Sequence, residues 1–171
     1  MASYAEWFLT EFEGEMGKTR KMLEAVPDFD PVWNPDPKSM SVGRLAGHVA
    51  ELPSWIVMTA TKDWFDLAAD YTPTKLEKGG RAELLAVFEK NVADAKAAMA
   101  GRTDEYLAQN WQLKFGAHTV IDLPRTTILT DMCKNHLIHH RGQLSVYTRL
   151  LGGKVPGMYG PSADDKATLP K

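Results

Sequence analysis

Apolar side chains recur every three or four residues through the first part of the chain, the spacing of an amphipathic helix. They share one face, formed by Tyr4, Phe8, Phe12, Met16, Thr19 and Leu23. Ser3 and Glu6 have the spacing of a capping box, in which each side chain accepts a hydrogen bond from a backbone N–H at the helix start. We therefore predict a first helix from about Tyr4 to Val26, which Pro27 ends.

A second helical pattern follows a proline-rich loop and runs from about Ser41 to Asp63. Ser41 is a suitable N-cap residue. The apolar face of this helix holds Leu45, His48, Leu52, Trp55 and Ile56. Pro53 lies inside the pattern, where it lacks an N–H and its ring crowds the carbonyl group four residues earlier. We therefore predict a kink just past His48.

The segment from Trp64 to Gly80 has no helical pattern and contains the helix breakers Pro73 and Gly79-Gly80. It is predicted to be a long crossover. A third amphipathic pattern follows from about Arg81 to Ala100 and predicts a helix.

A small β-hairpin is predicted next. Apolar and polar residues alternate over residues 111–115, Gly116-Ala117 suits a tight turn, and residues 119–121 are β-branched. The fourth helix is predicted to begin near residues 122–124 and to end at Gly152-Gly153.

These elements predict an all-α fold, a four-helix bundle with a long crossover between helices 2 and 3 and a small β-hairpin before helix 4. A chain of 171 residues suffices for one domain with a hydrophobic core, but not comfortably for two. Residues 1–171 are therefore expected to form a single domain, with the last few residues frayed.

Composition narrows the possible partners and location. The net charge of −2 leaves no broad basic surface, so no nucleic-acid partner is expected. No apolar run reaches the roughly 18 residues of a spanning helix, so no membrane association is expected. The chain has one cysteine, Cys133, and its N-terminal segment does not look like a secretory signal. We therefore expect a cytoplasmic protein without an intrachain disulfide.

The segment HLIHHRGQ, residues 136–143, holds three of the five histidines in the chain. On a helix, His136 and His140 project from one face about 40° apart, whereas His139 points about 100° away from His140. Two imidazoles at this spacing can chelate one metal ion. The alternative is a pair of half-buried histidines that donate to carbonyl groups or stack on aromatic rings.

His48 favours the metal site over a pair of half-buried histidines, because it also lies on an inward helical face. Three imidazoles in one apolar core need a shared partner, since each brings two ring nitrogens. If His48 faces His136 and His140, three neutral nitrogens can bind one divalent cation and leave coordination positions open, as in catalytic sites. Imidazole suits zinc, nickel, iron or copper, so the ligands do not select the metal.

The candidates for catalytic residues are Glu51 and Arg141. Glu51 is one turn after His48 and can accept a hydrogen bond from a ligand or act as a base. The alternative is a solvated or helix-pairing carboxylate. Arg141 and Gln143 lie beside the histidines but on other faces. Arg141 can anchor the tail or an anionic substrate group, or form a surface ion pair.

Three further residues have simpler interpretations. Cys133 is expected to be a small buried apolar side chain, His118 to be exposed, and Trp55 to belong to the core or to line a pocket. No phosphate loop, dinucleotide fingerprint, nucleophile elbow or CxxC motif occurs in the sequence.

The two segments SVGRLAGHVAELPSW, residues 41–55, and HLIHHRGQLSVYTRLLGGKVPGMYGPSADD, residues 136–165, carry a family resemblance. Their features are a histidine on the second helix, HxxxH followed by RGQ on the fourth, RxxG at its end and a VPxxYGPS tail. From about Ser3 to Asp165 the chain resembles the DinB-like superfamily of metal-dependent four-helix-bundle proteins.

The resemblance implies a homodimer and a divalent metal held by three histidines, which map to His48, His136 and His140. Zinc or nickel is expected, with iron and manganese as alternatives. Related branches include transferases that use low-molecular-weight thiols and a thiol-dependent isomerase. The name of the family refers to DNA-damage induction and does not imply polymerase activity.

The leading hypothesis is a metal-dependent enzyme that activates a thiol, or water, for attack on a small-molecule substrate. A metal-dependent hydrolase is the close alternative. A non-catalytic metal-binding module of a stress response is a third hypothesis, and a bundle whose histidines bind nothing is the fourth.

Overall fold

The computed structural model describes residues 2–74 and 80–165, and within them the protein is mostly helical with a small three-stranded sheet. The helices are α1 (Tyr4–Ala25), α2 (Val42–Glu51), α3 (Pro53–Thr61), α4 (Arg81–Met99), α5 (Asp104–Leu107), α6 (Arg125–Ile128), a π-helix (Leu129–Asn135) and α7 (His136–Leu150). The strands are β1 (Trp64–Asp66), β2 (Asn110–Phe115) and β3 (His118–Pro124). The predicted breaker at Gly79 and the predicted fraying of the last residues lie outside the described residues.

The start of α1 follows the predicted chemistry. The Ser3 hydroxyl accepts a hydrogen bond from the Glu6 N–H, and the Glu6 carboxylate accepts one from the Ser3 N–H. This reciprocal pair satisfies backbone donors that have no partner within the helix. Phe8 and Phe12, on the predicted apolar face, are fully buried.

The predicted second helix is divided into α2 and α3 at Leu52. Leu52 keeps helical backbone angles (φ −54°, ψ −33°), but Pro53 is the first residue of α3. Proline is favoured at that position because its missing N–H has no helical partner there. The predicted interruption is therefore present, and it separates two helices instead of kinking one. The carboxyl end of α2 carries His48 and Glu51.

The crossover is more ordered than predicted, because residues 64–66 form β1 and pair in parallel with β2. The predicted hairpin is present, and β2 pairs antiparallel with β3 from Asn110–Pro124 to Phe115–His118. Gly116 has a φ of +59° in the two-residue turn, a conformation that glycine adopts without steric cost. A three-residue strand is too short to produce a recognisable alternation.

The fourth helix differs from its prediction in two respects. It begins at Arg125 because β3 continues to Pro124, and its first part changes to a π-helix over Leu129–Asn135 before α7 begins at His136. The predicted end is close to the observed end at Leu150.

Packing between the helices brings the histidine-bearing segments together. Both α1 and α2 pack against α4 and α7, and α3 packs against α4 and the π-helix. The buried apolar side chains form one cluster. Because α2 lies directly against α7, His48 faces the His136–His140 pair. No helix in the described parts of the chain is both long and apolar enough to cross a membrane.

Candidate metal centre

His48, His136 and His140 lie together between α2 and α7. Each offers one nitrogen, and these three atoms lie within 4.8 Å of one another. The ring centroid of His48 is 5.1 Å from that of His136 and 4.8 Å from that of His140. His48 and His140 are 4% and 7% exposed, and His136 is half-buried. The group could hold a metal ion.

The orientation of His48 is set by Glu51. Nδ1 of His48 lies 2.6 Å from Oε1 of Glu51. A carboxylate only accepts hydrogen bonds, so Nδ1 carries the proton and donates it. Nε2 of His48 is then left with a lone pair directed toward the other two histidines, which is the tautomer that a metal ligand requires.

Glu51 is itself held by several donors. Its Oε1 accepts hydrogen bonds from the Tyr71 hydroxyl at 2.7 Å and from Nη1 of Arg44 at 3.2 Å, and its Oε2 accepts one from the Thr74 N–H at 2.6 Å. Burial raises the pKa of Glu51, but hydrogen bonds from His48, Tyr71 and Thr74 outweigh burial and lower it to about 2. Glu51 is therefore a carboxylate at neutral pH. It is buried and accepts a hydrogen bond from His48, so it is not the solvated carboxylate of the alternative interpretation.

The π-helix explains the orientation of His136. The backbone N–H of His136 donates to the carbonyl oxygens of Asp131 and Cys133, so it leaves the carbonyl of Met132 to another donor. Nδ1 of His136 takes this position and donates to the Met132 oxygen at 3.2 Å. Wider helical turns of this kind occur frequently at functional sites. Here the π-helix supplies the acceptor that leaves Nε2 of His136 as a lone-pair nitrogen.

His140 has its own acceptor one turn along α7. Nδ1 of His140 lies 2.7 Å from Oε1 of Gln143. Sequence reasoning placed Gln143 on another face of the helix, where it is exposed, and did not foresee that its flexible side chain reaches back to the His140 ring. Nε2 of His140 lies 2.8 Å from Nε2 of His136. All three histidines therefore direct Nε2 inward and engage Nδ1 with an acceptor.

Burial favours the neutral form of two of these imidazoles, those of His136 and His140. Desolvation is the largest cause that lowers the pKa of His136 to about 4, followed by the nearby His140 and His48. Desolvation also lowers the pKa of His140, although Gln143 opposes it. Neutral imidazoles are metal ligands, so a cation need not displace protons at neutral pH. The donor set thus fits a divalent ion that accepts nitrogen ligands.

Trp55 forms an aromatic wall beside the group. Its ring centroid lies 5.7 Å from that of His136 and 6.1 Å from those of His48 and Tyr71, each pair in an edge-to-face arrangement. These contacts place the indole ring directly beside two of the three histidines. Trp55 is partly buried against the apolar cluster, in agreement with the expectation that it belongs to the core.

The remaining predicted residues do not join this group of three. His118 is exposed, as expected; His139 is also exposed, and its ring packs edge-to-face against that of His140 with 4.9 Å between the centroids. Cys133 is buried beside Thr59, and burial raises the pKa of its thiol to about 12, so it remains protonated and is not a nucleophile. It behaves as the small core side chain that was predicted.

Arg141 is buried on the side of α7 that faces α1. Its guanidinium donates to Glu15 Oε2 at 2.7 Å, to Thr19 Oγ1 at 3.0 Å and to the Tyr159 hydroxyl at 2.7 Å. Through Tyr159, Arg141 links α7 to the tail, as its interpretation as a tail anchor expects. These contacts do not direct it toward the metal-ligand candidates.

Sequence reasoning missed Arg44 and Tyr71. Arg44 is four residues before His48, so helical spacing could have indicated it. Tyr71 lies in the crossover and has no local signal, because its place beside Glu51 depends on long-range packing of residues 67–74 against α2.

The chain is therefore a mostly helical protein in which three histidines on two packed helices could hold a metal ion. The model of the DinB family matches residues 1–170, and the chain belongs to the DinB family.

Individual relatives agree with this assignment. The chain is 27% identical over 163 residues to the uncharacterized protein YrdA of Bacillus subtilis (strain 168), covering 94% of this chain and 90% of YrdA. A solved DinB-like protein from Bacillus cereus ATCC 10987 has a TM-score of 0.67 and 25% identity, covering 89% of this chain and 95% of that one. The DinB-like protein YjoA of Bacillus subtilis has the same TM-score at 18% identity, covering 89% and 96%, and shows likeness of fold alone.

Proposed function

We propose that the protein is a metal-dependent enzyme in which His48, His136 and His140 hold one divalent ion through Nε2. The observation that carries this proposal is the engagement of every Nδ1 with an acceptor, which leaves three lone-pair nitrogens within 4.8 Å of one another. Zinc or nickel is proposed first, with iron and manganese as alternatives.

A bound ion at this site would supply one chemical effect, a lower pKa for a coordinated thiol or water molecule near neutral pH. The residues of the chain do the rest. Glu51, Met132 and Gln143 fix the rings, and Trp55 packs beside two of them. His136 is half-buried, whereas His48 and His140 are buried, so a small molecule would reach the ion past the His136 ring.

The proposed reaction is transfer of a low-molecular-weight thiol to a small electrophile, with the metal-dependent hydrolase as the alternative within the same site. Three protein ligands leave positions free for thiol or water, which supports catalysis over a purely structural ion. Family analogy supports the choice of thiol.

The proposal also takes residues 1–171 as one domain, a four-helix bundle that forms a homodimer. The pairwise packing of α1 and α2 against α4 and α7 supports the bundle. Sedimentation of the purified protein tests the dimer.

The decisive experiment is elemental analysis of protein purified without an affinity tag. We expect about one divalent ion per wild-type chain and loss of that ion in His48→Ala, His136→Ala and His140→Ala. His118→Ala is the matched control that keeps the ion, because its side chain is exposed in the hairpin, away from the three ligands. Wild-type metal content in all three ligand variants would refute the metal site.

Activity assays then separate the reactions. Turnover of an electrophile that requires added thiol supports the transferase, whereas turnover in buffer alone supports the hydrolase. A metal-loaded protein without turnover, whose melting temperature falls sharply with chelator, would identify the non-catalytic module instead.

A further inference from the structure

Glu51 joins two parts of the molecule that are separate in sequence. The carboxylate contacts His48 in its own helix, and it also contacts Tyr71 and Thr74 in the crossover after β1. Glu51 is 5% exposed, so these hydrogen bonds form away from bulk water. A single buried side chain therefore links a metal-ligand candidate to the crossover.

The geometry leaves the carboxylate little freedom. Oε1 accepts hydrogen bonds from Nδ1 of His48 at 2.6 Å and from the Tyr71 hydroxyl at 2.7 Å. Oε2 accepts one from the Thr74 N–H at 2.6 Å. Arg44 contributes to Oε1 and also donates to the Tyr71 hydroxyl. If the crossover left, Glu51 would lose the donors that fix its rotamer.

We propose, on the basis of the proposed metal site, that Glu51 is a positioning residue that couples metal binding at His48 to the seating of the crossover at Tyr71 and Thr74. A cation on Nε2 makes the Nδ1–H of His48 a stronger donor, which strengthens its charge-assisted bond to Glu51. A firmly held Glu51 in turn keeps Oε2 in position for the Thr74 N–H, so the gain comes from the fixed rotamer. By thermodynamic linkage, seating of the crossover then increases metal affinity by the same factor.

The coupling regulates access to the site. Tyr71 packs edge-to-face against Trp55, which also contacts His48 and His136. A seated crossover therefore completes the aromatic wall beside the three nitrogens. Removal of the ion loosens this wall, and binding of the ion closes it.

The chain offers a matched control in a second cluster of one Glu, one Arg and one Tyr, of which Glu15 and Arg141 are buried. Glu15 accepts hydrogen bonds from Arg141 and Tyr159, as Glu51 does from Arg44 and Tyr71. Tyr159 belongs to the tail and Tyr71 to the crossover, but Glu15 contacts no histidine in the described structure. Glu15→Gln therefore tests whether the loss of any buried carboxylate disturbs the metal site.

The experiment measures zinc affinity by competition with a chromophoric chelator, together with amide hydrogen exchange in a peptide that covers residues 67–74. In wild-type protein, zinc is expected to slow exchange of the Thr74 amide by about fivefold or more. Glu51→Gln is expected to lower zinc affinity by about 10- to 100-fold. Glu51→Gln is also expected to abolish the effect of zinc on exchange of the Thr74 amide. The glutamine NH₂ group only donates hydrogen bonds, and it would face the donors that the carboxylate now accepts from. Glu15→Gln is expected to leave both measurements unchanged.

Tyr71→Phe keeps the contact between Glu51 and His48 and removes only a crossover hydroxyl, so it keeps the test valid if Glu51→Gln does not fold. We expect it to lower zinc affinity by about fivefold, less than Glu51→Gln does. Unchanged affinity in Glu51→Gln or Tyr71→Phe overturns the coupling, and so does a wild-type Thr74 amide that ignores zinc. Wild-type protein that binds no zinc overturns the metal site itself, which distinguishes the two failures.

Discussion

Nε2 of His136 lies 2.8 Å from Nε2 of His140. Both rings use Nδ1 to donate to an oxygen, so in the neutral state both Nε2 atoms carry lone pairs. Two lone pairs at this distance require a proton or a cation between them. Burial, and then the neighbouring histidines, lower the pKa of His136 to about 4, which disfavours the proton at neutral pH. The pair is therefore arranged for a cation.

The lowered pKa of His136 predicts how the metal-free protein responds to acid. The pKa of His136 in the folded protein, about 4, lies below its ordinary value of 6.5. Between these values the unfolded chain binds a proton that the folded chain does not, so the free energy of unfolding falls as pH decreases through this window. Thermal denaturation in excess chelator, from about pH 7 to pH 4, should show a falling melting temperature.

Two variants separate this effect from general acid sensitivity. His136→Gln removes the titrating group, and its melting temperature should fall less steeply over the same window. His118→Gln changes an exposed histidine of the hairpin and should follow the wild-type curve. Parallel curves for wild type and His136→Gln would contradict the assignment.

Local patterns predicted much of this fold, because many of its devices act over one helical turn. The capping box at Ser3, the N-cap at Ser41 and the turn at Gly116 each depend on neighbouring residues, and all three are present. The inward histidines could be predicted because apolar neighbours mark the buried face of each helix.

The rest could not be predicted because it depends on distant contacts. Residues 129–135 have an ordinary helical composition, and a π-helix has no distinct hydrophobic period over seven residues. The three residues of β1 become a strand only through pairing with β2, which lies more than forty positions later. Tyr71 reaches Glu51 for the same reason, since tertiary packing and not local sequence sets its position.

Removal of the Arg125 side chain is expected to destabilise the protein strongly. Its side chain is 1% exposed and donates to the carbonyl groups of Thr59, Lys62 and Asn110, where α3 ends and β2 begins. Arg125→Ala leaves these acceptors without their donor, and it should lower the free energy of unfolding by on the order of 3 kcal/mol. Urea denaturation measures the change.

The control for Arg125→Ala is Arg20→Ala, since the exposed Arg20 side chain pairs with Glu24 of α1 and with Glu89 of α4. Exposed ion pairs contribute little, so its midpoint should hardly move. Equal losses in the two variants would show that the buried carbonyl contacts of Arg125 are not what stabilises this region.

The tail is expected to depend on the hydroxyl of Tyr159. This oxygen donates to Glu15 and accepts from Arg141, both at 2.7 Å, although the Tyr159 side chain is otherwise exposed. Tyr159→Phe removes both hydrogen bonds and should increase the population of detached tail about five- to tenfold. Trypsin should then cut after the exposed Lys154 faster by a similar factor.

Tyr106→Phe is the matched control for Tyr159→Phe, because the Tyr106 hydroxyl donates to the carbonyl of Ala60, far from the tail. Its rate of cleavage after Lys154 should equal that of wild type. If Tyr159→Phe is cut no faster than Tyr106→Phe, the tail is held by its other contacts, among them the ion pair between Arg149 and Asp164.

Replacement of glycine by alanine is expected to lower the free energy of unfolding at Gly43 and to raise it at Gly17. A Cβ atom on Gly43, in the first turn of α2, would lie 2.8 Å from the Pro31 carbonyl oxygen and 2.9 Å from the Pro31 Cβ. Gly43→Ala must displace that backbone and should destabilise the protein by about 1–3 kcal/mol. Gly17, within α1, has open space around the same position. Gly17→Ala should therefore stabilise it by about 0.5–1 kcal/mol, because alanine loses less backbone entropy in a helix. Urea unfolding of both variants measures the two signs, and a stabilising Gly43→Ala would mean that the loop before α2 is not packed against it as closely as the distances require.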